Sequence, residues 1–143
     1  MDSCVFCDIV AGEAEAFVVA SSPTAVAFLD IAPLSRGHSL VVPTRHVVDL
    51  LEGGAEVLHD VAPLVEQTAR LLVKELRADG INLFQSSGSA AGQEVGHFHV
   101  HLVPRWRDDG VLRNLVGASA ATGDVDALHA ELSGRPTGSG RER

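Results

Sequence analysis

The sequence predicts an α+β fold: an antiparallel five-stranded sheet with a long helix packed to one side and a short C-terminal helix. Three observations carry that prediction. Short apolar runs recur between turn residues, a helical stripe of apolar residues fills 55–77, and the two kinds of segment do not alternate as a parallel sheet requires. The 143 residues suit one domain, expected over 1–133, with a flexible tail at 134–143 (GRPTGSGRER).

Residues 16–20 (AFVVA) and 24–29 (TAVAFL) form a predicted hairpin about Ser21, Ser22 and Pro23, with alanines weakening its second strand. Asp30 ends the pair, and Pro33 with Gly37 marks a turn. Residues 38–42 (HSLVV) make a third strand, closed by Pro43. The long helix then carries Val57, Leu58, Val61, Leu64, Val65, Leu71, Leu72 and Leu76, with Pro63 as the expected start or kink and Asp79-Gly80 as the stop. A short strand at 81–84 leads to a small-residue loop, SSGSAAGQ, at 86–93. The last strand is expected over 95–103, ended by Pro104, and the short helix over 124–132. Five strands and one long helix make a thin core, which pairing two sheets in a homodimer would thicken.

Composition narrows the function. Eleven Lys and Arg against nineteen Asp and Glu give a formal charge of −8, which excludes a basic sheath for a nucleic-acid backbone. A local anion site built from backbone N–H groups and histidines remains compatible with that charge. The opening MDSCVFCDIV has Asp2 and Asp8 and no basic run, so it does not read as a signal peptide. No apolar stretch is long enough for a membrane helix, and a soluble cytoplasmic protein is the expectation.

The densest chemical signal is His97-Phe98-His99-Val100-His101, three of the seven histidines at alternate positions. On a strand their rings line one face, about 6.5 Å apart, while Phe98, Val100 and Leu102 face the core. Three readings compete. The strand is half-buried with a polar face that happens to be histidine; or His99 and His101 share a catalytic zinc; or the imidazoles do acid–base or nucleophilic work on a phosphoryl group. The preceding loop favours the last, since Gly88, Gly92 and Gly96 allow close approach and Ser86, Ser87, Ser89 and Gln93 offer neutral donors. Cys4 and Cys7 form an isolated CxxC that is redox-active, half of a zinc site, or merely buried.

The blocks AAGQEVGHFHVHLVPR and FLDIAPLSRGHSLVVPTRH resemble the histidine triad (HIT) family, in its bacterial nucleotide-hydrolase branch, over about residues 4–106. The resemblance implies the HIT-like α+β fold. It also implies a hydrolase that cleaves nucleoside 5′-phosphoramidates or dinucleoside polyphosphates at the α-phosphorus, releasing a nucleoside monophosphate from a nucleotidyl-histidine intermediate. On that resemblance His99 is the nucleophile, His101 and Gln93 contact the phosphate or leaving group, and His38 orients the nucleophile. Asp30 holds the ribose hydroxyls and Phe28 lines the base pocket, with a purine nucleotide, usually of adenosine, as substrate. The resemblance further implies a structural zinc held by Cys4, Cys7, His46 and His97, which the chemistry itself does not need.

Two positions depart from the family pattern. Ser86 stands where many members have Asn, which weakens a substrate contact, and Glu94 stands where better-studied members have Ser, which bears on leaving-group preference. A nucleotide-binding regulatory or partner protein with little turnover is the alternative function.

Overall fold

The computed structural model describes residues 3–112 and 124–134, in two units that part between Val111 and Leu112. The first unit holds β1 (Val18–Ser21), β2 (Ala25–Leu29), β3 (Ser39–Pro43), β4 (Gly80–Gln85) and β5 (Val100–Arg105), with α1 (Val5–Val10) before them and α2 (Leu50–Leu76) between β3 and β4. The second carries α3 (Val125–Ser133), one residue displaced from the helix expected at 124–132. Beyond Gly134 the expected tail lies outside the described residues.

The strands form one sheet in the order β1-β2-β3-β5-β4, with every neighbouring pair antiparallel. Alternation along each strand sends side chains to two different covers. Ala25, Ala27, Val41, Val100 and Leu102 meet Val57, Val61, Leu64, Val65 and Leu72 of α2 in the main core. Val26, Phe28, Leu40 and Val42 face the other way and close around Phe6 of α1. The alanines that weaken β2 as a strand thus have a use, since Ala25 and Ala27 are wholly buried beneath α2 where larger side chains would hold the helix off. Among the described residues, no helix is long and apolar enough to cross a membrane.

Several boundaries differ from expectation. Helix α1 is not among the expected elements; six residues are too few for a periodic signal, and the Cys4 sulfur caps it by accepting from the Cys7 N–H at 3.4 Å. Helix α2 starts a turn earlier than 55, because Asp49 accepts from the N–H groups of Leu51 and Glu52, both at 2.9 Å. It then breaks at Gly54 (φ +62, ψ −158) and continues through Pro63 to Leu76, so the interruption lies at the glycine and not at the proline.

Strand β5 begins at Val100, not at residue 95, and runs past Pro104. The β3–β5 ladder ends at the Ser39–Leu102 pair, so β3 asks nothing of the nitrogen that Pro104 cannot protonate. His97 and His99 therefore precede the strand. The expected single row of three rings at strand pitch is replaced by a tighter group, with the centroids of His99 and His101 only 4.9 Å apart.

Candidate functional site

The structure sorts the histidines into two neighbouring groups by the way the main chain holds each ring. His97 is fully buried, and its Nε2 donates to the Pro43 carbonyl at 3.0 Å. A carbonyl can only accept, so the proton sits on Nε2 and the lone pair on Nδ1. That lone pair faces Cys4 Sγ at 3.4 Å, Cys7 Sγ at 3.5 Å and His46 Nδ1 at 3.2 Å, and His46 Nδ1 lies 3.3 Å from Cys7 Sγ.

Cys4, Cys7, His46 and His97 thus point one ligand atom each at a common centre, all within 4.8 Å of one another. A tetrahedral zinc with bonds of about 2.3 Å to sulfur and 2.0–2.1 Å to nitrogen has ligand–ligand edges of about 3.3–3.8 Å. The four separations of 3.2–3.5 Å match those edges or nearly so, and the soft S₂N₂ donor set suits zinc. In the metal-free chain the Cys7 thiol is pushed up to about 11, first by burial, then by the hydrogen bond and charge of Cys4 and the charge of Asp8. A cation is what would draw both sulfurs into the thiolate form.

His99 is held in the opposite sense. Its Nδ1 donates to the His97 carbonyl at 2.7 Å, which leaves the lone pair on Nε2. Its ring is only 6% exposed, with the rings of Phe6 and His101 set edge-on at centroid distances of 5.3 and 4.9 Å. Helix α1 supplies Phe6, and the segment before β5 supplies His99.

A chain of hydrogen bonds fixes the neighbouring rings. The Leu34 N–H donates to His38 Nδ1 at 3.0 Å, so His38 Nε2 carries a proton, which it donates to His101 Nδ1 at 3.0 Å. Asp30 Oδ2 lies 3.6 Å from the same His38 Nε2, and Asp30 Oδ1 accepts from the Ala32 N–H at 2.8 Å. His101 is thereby left with its N–H at Nε2, and its ring stacks on Phe84 at 4.4 Å and 11°. Asp30, His38 and His101 are close enough to suggest a second metal centre, but the proton on His38 Nε2 occupies the position a cation would need. The same assignment removes the lone pair that a zinc shared by His99 and His101 would take from His101.

Burial favours the neutral form of His38, His101 and His97. It holds His38 below the ordinary imidazole value, with Asp30 opposing and His99 adding to the effect. It holds His101 down to about 4, helped by His99 and His38 and opposed by Asp30. His97 is likewise lowered, first by burial. The unfolded chain, with imidazoles near 6.5, therefore binds more protons than the folded one as pH falls from 6.5 towards 4. The stability these groups contribute is complete above pH 6.5 and is lost on the way down. In the Cys4→Ser/Cys7→Ser protein, where metal release cannot contribute, the melting temperature should fall by roughly 5 °C or more between pH 7.5 and 5.0. A flat profile over that interval would show that the rings are not buried as neutral groups.

The loop residues stand apart from the rings. Gln93 spends its amide on main chain around the loop and before α2: Nε2 donates to the carbonyls of Val48 at 2.7 Å and Val95 at 3.0 Å, and Oε1 accepts from the Gly88 N–H at 2.8 Å. Ser87 Oγ accepts from the Leu50 N–H at 3.0 Å, which ties the loop to the start of α2. Gly88 and Gly92 hold φ of +92 and +96, a region that favours glycine. Ser86 is half-buried and Glu94 exposed; among the described residues, neither they nor Gln93 bond to the histidine rings. Phe28 is buried, edge-on to Phe6 at 5.4 Å. A cavity of about 430 Å³ lined by Thr24, Thr44, Arg45, Glu56, His59 and Asp60 shares no residue with this group, and Arg45 there is already bound to Asp60 at 2.7 Å.

Sequence reasoning missed Phe6 and Phe84, the rings that flank His99 and His101, and the carbonyls of Pro43 and His97 that set the tautomers. Phe6 had a signal in its place inside the CxxC; a carbonyl has none.

The family model for the HIT domain matches residues 11–108. The adenosine 5′-monophosphoramidase of Saccharomyces cerevisiae is 36% identical over 140 residues, covering 96% of this chain and 85% of the yeast protein. A crystal structure of a HIT-family protein from Bacillus subtilis superposes with a TM-score of 0.80 at 30% identity, over 96% of this chain and all of that one. A zinc-bound histidine triad family protein from Mycobacterium smegmatis superposes with a TM-score of 0.73 at 35% identity, over 92% of this chain and 96% of the other.

Proposed function

This chain belongs to the histidine triad (HIT) family, and on that premise we propose that it is a nucleotide hydrolase with His99 as its covalent nucleophile. It cleaves nucleoside 5′-phosphoramidates or dinucleoside polyphosphates at the α-phosphorus and releases a nucleoside monophosphate. The single observation that carries the reading is the 2.7 Å bond from His99 Nδ1 to the His97 carbonyl, which leaves the lone pair of the neutral ring on Nε2.

The steps follow from the rings as they stand. His99 Nε2 bonds to the α-phosphorus as the bond to the leaving group breaks. The positive charge this places on the ring is met by the His97 carbonyl at Nδ1. His101 Nε2–H, kept in that tautomer by His38, donates to a phosphate or leaving-group oxygen or nitrogen. Water then attacks phosphorus and passes a proton to His101 Nε2, replacing the one given to the leaving group; His99 leaves as the free imidazole, and the monophosphate departs. Asp30, at the end of β2, accepts from the ribose hydroxyls, and Phe28 contributes to the base pocket. Gln93 reaches a phosphate only by exchanging the main-chain bonds it now makes, and Ser86 and Glu94 lie on the loop that meets the leaving group.

The named activity of the yeast relative supports an adenosine nucleotide as substrate. Cys4, Cys7, His46 and His97 hold a structural zinc in this reading, supported by their spacing and by the zinc-bound mycobacterial relative. When bound, that ion pins the N-terminal segment to the residues before β5. Cysteines that hold a metal ion as thiolates suit the reducing cytoplasm. A homodimer is supported by the edge position of β4, where Leu83 is 58% exposed.

The test is a panel of an adenosine phosphoramidate, a diadenosine polyphosphate and an acyl-adenylate, labelled at the α-phosphorus and read by mass. A transient adenylyl group on the peptide containing His99, with AMP as product, is the expected result. Tight binding with neither adduct nor product would make the chain a nucleotide-binding protein instead.

A further inference from the structure

Phe6 lies between Cys4 and Cys7 on α1, a six-residue helix too short to hold itself together in water. Its main-chain bonds stay within the segment, from Asp8 N–H to the Cys4 carbonyl at 3.0 Å through to Glu13 N–H on the Asp8 carbonyl at 2.8 Å. Side chains therefore seat it. The sulfurs approach His97 and His46, and Phe6 enters the cluster of Val26, Phe28, Leu40 and Val42. The Phe6 ring then stands almost perpendicular to His99, at 5.3 Å and 83°, and also edge-on to His97 at 5.9 Å. Such edge-to-face contacts are attractive and directional. His99 has one edge fixed by the His97 carbonyl and its flanks set by Phe6 and His101.

We propose that Phe6 is a positioning residue for His99 whose seat is set by the two thiols, so that oxidation of Cys4 and Cys7 to a disulfide slows turnover. The effect on turnover rests on the reading of His99 as nucleophile; the coupling of thiols to ring does not. Both sulfurs are partly exposed and lie within 4.8 Å of each other, open to a small peroxide. Two thiols and one hydrogen peroxide give a disulfide and two waters: the S–S bond forms, the O–O bond breaks, and two electrons and both thiol protons pass to the oxygens. With the sulfurs thiolate on a cation, two protons come from solvent and the cation leaves as the free ion. Sulfurs bonded to each other no longer hold α1 against His97 and His46, so Phe6 withdraws and His99 gains water and rotational freedom. A displacement of about 1 Å at a reacting group can cost a factor near a hundred.

The experiment follows the Cε1–H signal of His99, assigned by its absence in His99→Asn, together with kcat. Peroxide treatment of the whole protein, confirmed by loss of two hydrogens in its mass, should move the signal towards its position in Phe6→Leu. It should also lower kcat about tenfold. Phe6→Leu should show a similar loss when reduced and little further change on oxidation, and dithiothreitol should restore the wild type alone. An unmoved His99 signal in a disulfide-bearing wild type overturns the proposal, and that arm decides even if Phe6→Leu does not fold. Equal slowing of Phe6→Leu and wild type by peroxide also overturns it. A ring signal that follows the thiols in a protein forming no adduct at His99 would sink the nucleophile reading and keep the coupling.

Discussion

His99→Asn should abolish turnover, with kcat lower by roughly 10⁴-fold or more, while the melting temperature should stay within a few degrees of wild type. The asparagine amide takes the place of the imidazole Nδ1 and keeps a donor for the His97 carbonyl, which accepts at 2.7 Å from the native ring. The buried carbonyl is therefore not orphaned, a loss that would otherwise cost about 1–3 kcal/mol. What disappears is the Nε2 lone pair, and nothing nearby replaces it: His97 turns its lone pair to the cysteines and His101 carries its proton at Nε2. His101→Asn removes a donor but no bond-forming atom, and a loss of roughly 10²–10³ in kcat is expected. Steady-state hydrolysis with circular dichroism checks both. Near-normal hydrolysis by His99→Asn would remove the covalent mechanism outright.

With the proposed zinc at Cys4, Cys7, His46 and His97, its removal by a strong chelator should be the second large effect, and it should fall on stability. A site occupied at a thousandfold above its dissociation constant stabilises the folded chain by about 4 kcal/mol. For a chain of this length the melting temperature should then drop by roughly 10 °C. The fold itself persists, because the core between α2 and the sheet has no share in the Cys4, Cys7, His46 and His97 cluster. Elemental analysis should find one zinc per chain before treatment and none after. Adenylylation of His99 should continue in the stripped protein while Cys4 and Cys7 stay reduced, because Phe6 keeps its seat among Val26, Phe28, Leu40 and Val42. Complete loss of the adduct, restored by zinc alone, would instead make the metal part of the chemistry.

Much of this was legible from residue order. The five strands, the long helix and the inward set Phe98, Val100 and Leu102 follow from periodicity, because burying alternate or helical-stripe residues is what those periods do. The nearness of Cys4 and Cys7 to His46 and His97 came from resemblance, since nothing in the spacing of residues 7, 46 and 97 reports that they meet. The start of β5 was misread for a local reason. His99 Nδ1 takes the carbonyl two residues back, and the Phe98 N–H donates to Val47 at 2.7 Å, so the segment leaves the ladder while keeping a strand's alternation. Gln93 shows a different limit: a side-chain amide that reads as a ligand donor is satisfied by main-chain groups of Val48, Gly88 and Val95, and only the fold reveals which it does.

The carbonyls of Pro43 and His97 give one further consequence. Two chemically identical imidazoles, a residue apart, receive opposite assignments from peptide groups that no codon change at 97 or 99 rewrites. Engineering that seeks to trade their duties must re-lay the main chain between them; exchanging side chains over an unchanged backbone yields a poorer ligand or an idle ring.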